Sequence, residues 1–233
     1  MPALLDIRGL FPRDVVCAVR RIGSRTPPLH PREQAAVARA VPRRQREFAA
    51  GRACARAVLK KLGVANPVLA KKTDGSPAWP HGIVGSIAHS TTWCAAAAAP
   101  AHALCGIGLD IETIARVHCS IARKIMTEPE LRMLAGADPQ KAQTLLCLVF
   151  SAKEAVYKCL YPVWGIRLGF HDAVIMPHPA HCRFDVRLTT SKLPVRKPLV
   201  GSYLICGGTI VTGISVPPEE KPSLRPRLFS VDT

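Results

Sequence analysis

Apolar side chains between residues 42 and 63 recur at helical spacing, and the stretch "VPRRQREFAAGRACARAVLKKLG" predicts a helix that opens at Pro42 and stops at Gly63. Phe48, Ala55, Val58, Leu59 and Leu62 form its apolar stripe. Another face carries Arg52, Arg56 and Lys60 at four-residue steps, beside a cluster of Arg43, Arg44 and Arg46. "KKTDGSPAWPHG" is turn material, and "IVGSIAHSTTWCAAAAAP" predicts a strand, a polar turn holding His89, and a second strand. In "GIGLDIE", residues 106–112, strict alternation puts Ile107, Leu109 and Ile111 on one face and Gly106, Gly108, Asp110 and Glu112 on the other. Glycines inside a strand mark a close approach by another backbone or a ligand.

A helical stretch broken near Pro129 follows, "SIARKIMTEPELRMLAG", and then a longer helix through "AQTLLCLVFSAKEAVYKCL". Leu145, Leu148, Val149, Ala152, Val156 and Cys159 give that helix a core face, while Phe150, Glu154 and Lys158 share another. From "GIRLGFHDAVIM" to "GTIVTGISV" the chain predicts short strands, and residues 217–233 a loose, Pro-rich tail. The first forty residues show no clear pattern. Helices and strands in both halves, with no repeat of 20 to 50 residues, predict an α+β fold with helices laid on antiparallel sheet.

Composition narrows the chemistry. With 48% hydrophobic residues in 233, the chain can bury a large core, and it holds no apolar run long enough to span a bilayer. The N-terminal segment meets Asp6 and Arg8 too early for a signal peptide, so a cytoplasmic protein without a membrane partner is expected. Nine cysteines without a Cys-x-x-Cys pair argue against disulfides and structural zinc. The prolines around His178, His181 and Cys182 suggest a surface turn there. Lys and Arg outnumber Asp and Glu by 32 to 16, so an anionic partner is the first expectation, although Arg- and Ala-rich usage also follows from a GC-rich genome. Aromatic residues, at 5%, are too few for a surface that stacks single-stranded bases, and no nucleic-acid partner is expected.

Asp110 and Glu112 on one strand face, with Glu154 on a helix otherwise committed to burial, suit a hard divalent cation, and the basic helix suits phosphates. The same residues also fit an ordinary Glu154–Lys158 helix pair and an exposed strand face. Spacing leaves both readings open.

"GIGLDIE" followed about forty residues later by "FSAKEAVYK" resembles the paired signature of the 4′-phosphopantetheinyl transferases. "REFAAGRACARAVLKKLG", "DGSPAWPHGIVGSIAHS" and "GIRLGFHDAVI" resemble further blocks of the family, in the long branch that includes the surfactin synthetase activator and enterobactin synthase component D types. The likeness runs from about Arg43 to Ile175. It implies a pseudo-twofold fold of two similar α+β halves, with residues 1–105 as the N-terminal half, 106–216 as the C-terminal half, and a monomer. It also implies transfer of the phosphopantetheine arm of coenzyme A to a serine of an apo acyl or peptidyl carrier protein, itself usually acidic, in fatty-acid, polyketide, nonribosomal-peptide or siderophore synthesis. Adenosine 3′,5′-bisphosphate leaves.

The resemblance further implies magnesium, or manganese, on Asp110, Glu112 and Glu154, and catalytic roles for Glu154, Lys158 and His89, with Glu154 accepting the serine proton directly or through a metal-bound water. Coenzyme A contacts are implied for Arg46, Arg52, Arg56, Gly75, Pro77, His89, Lys153 and Lys158. Ala88 departs from the pattern, standing where many relatives have a serine or threonine, and Phe150 stands where tryptophan is commoner. An inactive carrier-binding homologue and a magnesium-dependent nucleic-acid-binding protein or nuclease are the alternatives.

Overall fold

The structure is a computed structural model that describes residues 5–218 apart from 192, 194, 196 and 197. Most of the tail expected over 217–233 therefore lies outside the described residues. The first half runs β1 (Val16–Arg21), α1 (Pro31–Gln34), α2 (Pro42–Lys61), β2 (Ile83–His89) and β3 (Trp93–Pro100). β3 lies between β1 and β2 and is antiparallel to both. α2 begins with Pro42 at its first turn, where a missing N–H costs nothing, and gives way at Leu62 to Gly63 with φ +82°.

Alternation along "WCAAAAAP" divides β3 between two cores. Cys94, Ala96 and Ala98 pack with Ala50, Cys54, Ala55, Val58 and Leu59 of α2. Ala95, Ala97 and Ala99 face the other way, against Ile107, Leu109 and Ile111. Five consecutive alanines let a helix and a second sheet both come close to one strand.

The second half runs β4 (Gly106–Thr113), α3 (Ala122–Ile125), α4 (Glu128–Ala135), α5 (Pro139–Trp164), β5 (Ala173–His178), β6 (Arg183–Leu188), β7 (Leu199–Cys206) and β8 (Thr209–Val216). Its sheet has the order β4-β8-β7-β6-β5, antiparallel throughout. Both halves wind alike: a strand, a long helix, then an antiparallel meander whose last strand returns beside the first. The second half adds two strands to the meander. The fold is thus α+β in two similar halves, stacked as helix, sheet, sheet, helix, and Leu109 N–H donates to Ser86 Oγ across the sheets (3.1 Å).

The glycines of β4 face α5. A Cβ on Gly106 would lie 2.7 Å from the Cys159 carbonyl oxygen, and one on Gly108 would overlap the carbonyl of Ala155. The close backbone is therefore that of α5, and it seats the helix directly on the strand that carries Asp110 and Glu112. Gly108→Ala is expected to destabilise the protein by about 3 kcal/mol or more, read from chemical denaturation, since the helix backbone must move. An unchanged midpoint would contradict this packing.

Three details differ from the sequence reading. β1 falls in the unpatterned start, because an edge strand ending in Arg20 and Arg21 and only partly buried shows little alternation. His89 is the last residue of β2 and not part of the turn. The helical break comes at Met126–Thr127, ahead of Pro129, which sits in the first turn of α4, where Thr127 and Glu130 form a capping box.

Candidate active site

A cleft of about 720 Å³ opens between the halves. α2 sends Arg44, Glu47, Phe48 and Arg52 into it; Arg44, Phe48 and Arg52 stand four residues apart and so share one row of the helix. β2 ends there with Ile87, Ala88 and His89, and the turn between Lys71 and Pro77 adds both of those residues and Gly75. Asp74 shapes that turn by accepting from the Ser76 N–H (2.8 Å) and hydroxyl (2.7 Å), with Gly75 at φ +91°. The opposite wall is Asp110 and Glu112 of β4 with Phe150, Glu154 and Lys158 of α5, again in four-residue steps.

The two walls differ in charge. On the acidic wall Lys158 Nζ donates to Asp110 Oδ1 (2.6 Å), not to Glu154, so the helix pair suggested by spacing gives way to a strand-to-helix bridge. Asp110 is 4% exposed, and its Oδ2 is buried without a hydrogen-bond partner. Burial, and then the neighbouring Asp110, push the Glu112 carboxyl up to about 7, and burial pushes that of Glu154 up as well. Burial opposes the charge of Lys158, but Asp110, Glu154 and Glu112 together hold its pKa above the ordinary range. Three carboxylates face one ammonium.

On the basic wall Arg52 is 5% exposed, with its guanidinium 4.2 Å over the Phe48 ring and its Nε without a hydrogen-bond partner. Burial lowers its pKa to about 10, still charged at neutral pH. Arg44 Nη1 donates to His89 Nε2 (2.5 Å). Burial, and then Arg44, hold His89 below the usual histidine range. Its neutral ring can accept that bond.

Of the residues expected at the site, the structure brings Arg52, Gly75, Pro77, His89, Asp110, Glu112, Glu154 and Lys158 to one cleft. Three expected phosphate contacts lie elsewhere. Arg56 is bound by the buried Glu33, through Nη1 to Oε2, and by the Pro28 carbonyl. Lys153 is 4% exposed and spends its ammonium on Glu130 and two carbonyls. Arg46 does not line the cleft, and Arg44 does. Counting back from Arg52 in steps of four would have selected Arg44, whereas Arg46 stands about 160° away around the helix. Glu47 and Lys71 were also missed.

Among the described residues no three His, Cys, Asp or Glu side chains are arranged to hold a metal ion. His178 instead bonds Asp185 (2.8 Å), and no disulfide is formed among the described residues.

Residues 32–99 match the profile of the 4′-phosphopantetheinyl transferase N-terminal domain, and residues 106–199 that of the 4′-phosphopantetheinyl transferase superfamily. The chain is 36% identical over 198 residues to 4′-phosphopantetheinyl transferase Svp of Streptomyces mobaraensis, covering 81% of this chain and 78% of that one. It is 35% identical over 138 residues to enterobactin synthase component D of Salmonella typhi, covering 58% of this chain and about half of that one, 52%. Among solved structures, holo-[acyl-carrier-protein] synthase of Thermotoga maritima overlaps 49% of this chain and 64% of its own, at 18% identity and a TM-score of 0.42.

Proposed function

This chain belongs to the 4′-phosphopantetheinyl transferase superfamily, and from that premise we propose that its cleft takes coenzyme A and passes the phosphopantetheine arm to a serine hydroxyl of an apo carrier protein. The observation that carries this reading is the division of one cleft into a cationic wall on α2 and a carboxylate wall on β4 and α5. A ligand with several phosphates at one end and a reacting pyrophosphate at the other matches both walls. The halves, taken as residues 1–105 and 106–216, each supply one, so a single chain is enough and a monomer is expected.

Arg44, Arg52, Lys71 and His89 bind phosphates. His89 presents a neutral ring that gains a proton, and hence a charge-assisted bond, beside a phosphate dianion. Gly75 and Pro77 shape the neighbouring pocket wall. Glu154 accepts the serine proton as the serine oxygen attacks the phosphorus bound to the pantetheine arm. The phosphoanhydride bond breaks, adenosine 3′,5′-bisphosphate leaves, and Lys158 holds the reacting phosphates in line for that displacement. Ala88 removes one hydroxyl that many relatives place next to the histidine.

The acidic wall has the donor chemistry of a hard divalent cation, an orphaned, buried Asp110 oxygen and two further carboxylates, although the three stand around Lys158 and are not set in a metal-holding arrangement. Magnesium, or manganese, held by Asp110, Glu112 and Glu154 would supply positive charge against the charge that develops on the leaving phosphate. No helix among the described residues is long and apolar enough to cross a membrane. A cytoplasmic location belongs to the same proposal as the coenzyme A substrate. A net charge of +16 suits an acidic carrier, with its effect mostly on association rate and salt sensitivity.

Calorimetric titration with coenzyme A tests the site. Wild type is expected to bind one equivalent, and Arg52→Ala to bind about ten- to a hundredfold more weakly, the loss of a charge-assisted contact. Equal affinity would remove Arg52 from the phosphate site.

A further inference from the structure

Among the described side chains that α2, β2 and the 71–77 turn send into the cleft, Glu47 alone is acidic. Its position is not that of an ordinary surface helix pair. Glu47 is 8% exposed; Oε1 accepts from Arg43 Nε (2.9 Å), and Oε2 lies 3.5 Å from Arg44 Nη1 and 3.8 Å from His89 Nδ1. The pair with Arg43 alone would be a weak four-residue helix contact. His89, however, comes from the end of β2, so the same carboxylate reaches across two elements to the groups that face the cleft.

A buried carboxylate beside a phosphate site repels the ligand that the site serves. It also balances the charge of Arg44 and keeps Arg44 and His89 in place while no phosphate is there. We propose that Glu47 is the resident counter-anion of the cleft: it holds Arg44 and His89 in the free protein, and an incoming phosphate must take both from it. This inference rests on the reading of the cleft as a coenzyme A site. A ligand with one phosphate then exchanges one anion for another and gains little. A ligand that also reaches Arg52 and Lys71 gains contacts that Glu47 does not contest. Glu47 therefore lowers the affinity of every phosphate ligand by a similar factor, so that only one that also reaches Arg52 and Lys71 stays bound, and it promotes departure of the bisphosphate product by taking its partners back.

The test is calorimetric titration of wild type, Glu47→Asp and Glu47→Gln with adenosine 3′,5′-bisphosphate and with inorganic pyrophosphate. Glu47→Gln is expected to bind both anions roughly tenfold more tightly than wild type, the order for removing one screened charge beside the ligand. Glu47→Asp, which keeps the charge but draws it back by one methylene, is expected to fall between, about two- to threefold tighter. Should Glu47→Gln not fold, the Asp variant carries the test alone. Unchanged or weaker binding in a folded variant would overturn the proposal and leave Glu47 a structural tether. Failure of wild type to bind adenosine 3′,5′-bisphosphate would instead defeat the coenzyme A reading.

Discussion

Glu154→Gln is expected to lower turnover by about a thousandfold, with coenzyme A affinity changed little and the fold intact. Glu154 lines the cleft from α5 and lies off the face that packs on the sheet, so the substitution leaves the core alone. Its carboxylate is held up by burial and faces Asp110 and Glu112. The amide keeps the shape, removes the proton acceptor and a metal-binding oxygen, and relieves repulsion among the three acids. Stability should therefore stay level or rise while activity is lost, as at sites where function requires crowded like charges. Rate measurements with denaturation of the same sample would decide. Turnover within about tenfold of wild type would exclude Glu154 as proton acceptor and as a necessary metal-binding oxygen.

Lys153→Ala is expected to do the reverse: a loss of about 3–5 kcal/mol of stability, with coenzyme A affinity of the folded protein unchanged. Lys153 Nζ donates to Glu130 Oε2, the Ile125 carbonyl and the Phe170 carbonyl, each at 2.7 Å, and so exhausts its three donors. Glu130, 0% exposed, accepts in turn from Ile175 N–H (2.7 Å) and from Thr127 N–H (2.6 Å) and hydroxyl (2.8 Å). This pair ties α5 to α3, α4 and β5. Truncating the lysine leaves a buried carboxylate uncompensated, and for a chain of this size a fall in Tm of roughly 10 °C follows. A variant of normal Tm but weakened coenzyme A binding would restore Lys153 to the phosphate site.

The contrast between Lys153 and Lys158 shows how far the sequence could be read. Both lie in "FSAKEAVYK", and both resemble family lysines, but burial separates them. Lys153 turns away from the cleft, where Glu130 is waiting, and nothing in local spacing marks Glu130, 23 residues away, as its partner. The alternation of "GIGLDIE" was fully legible because a strand has only two faces and both are filled as the pattern requires. Its glycines predicted a close approach, and only tertiary packing could identify the approaching backbone as that of α5. On α2 the basic row was legible, but which arginine stays free depends on partners outside the helix: Glu33 takes Arg56, while Arg44 turns to His89. The common winding of the two halves came only with the family resemblance and not from the residue pattern, since β1 is a weakly patterned edge strand and no internal repetition survives in the residues.

The most direct test of the central claim is the intact mass of apo carrier proteins of the fatty-acid, polyketide and peptide types after incubation with the enzyme, coenzyme A and magnesium, with and without a chelator. The account predicts that at least one carrier gains a single phosphopantetheine arm on its serine and that the chelator abolishes the gain. No gain on any carrier, from an enzyme that is folded and binds coenzyme A, would contradict it.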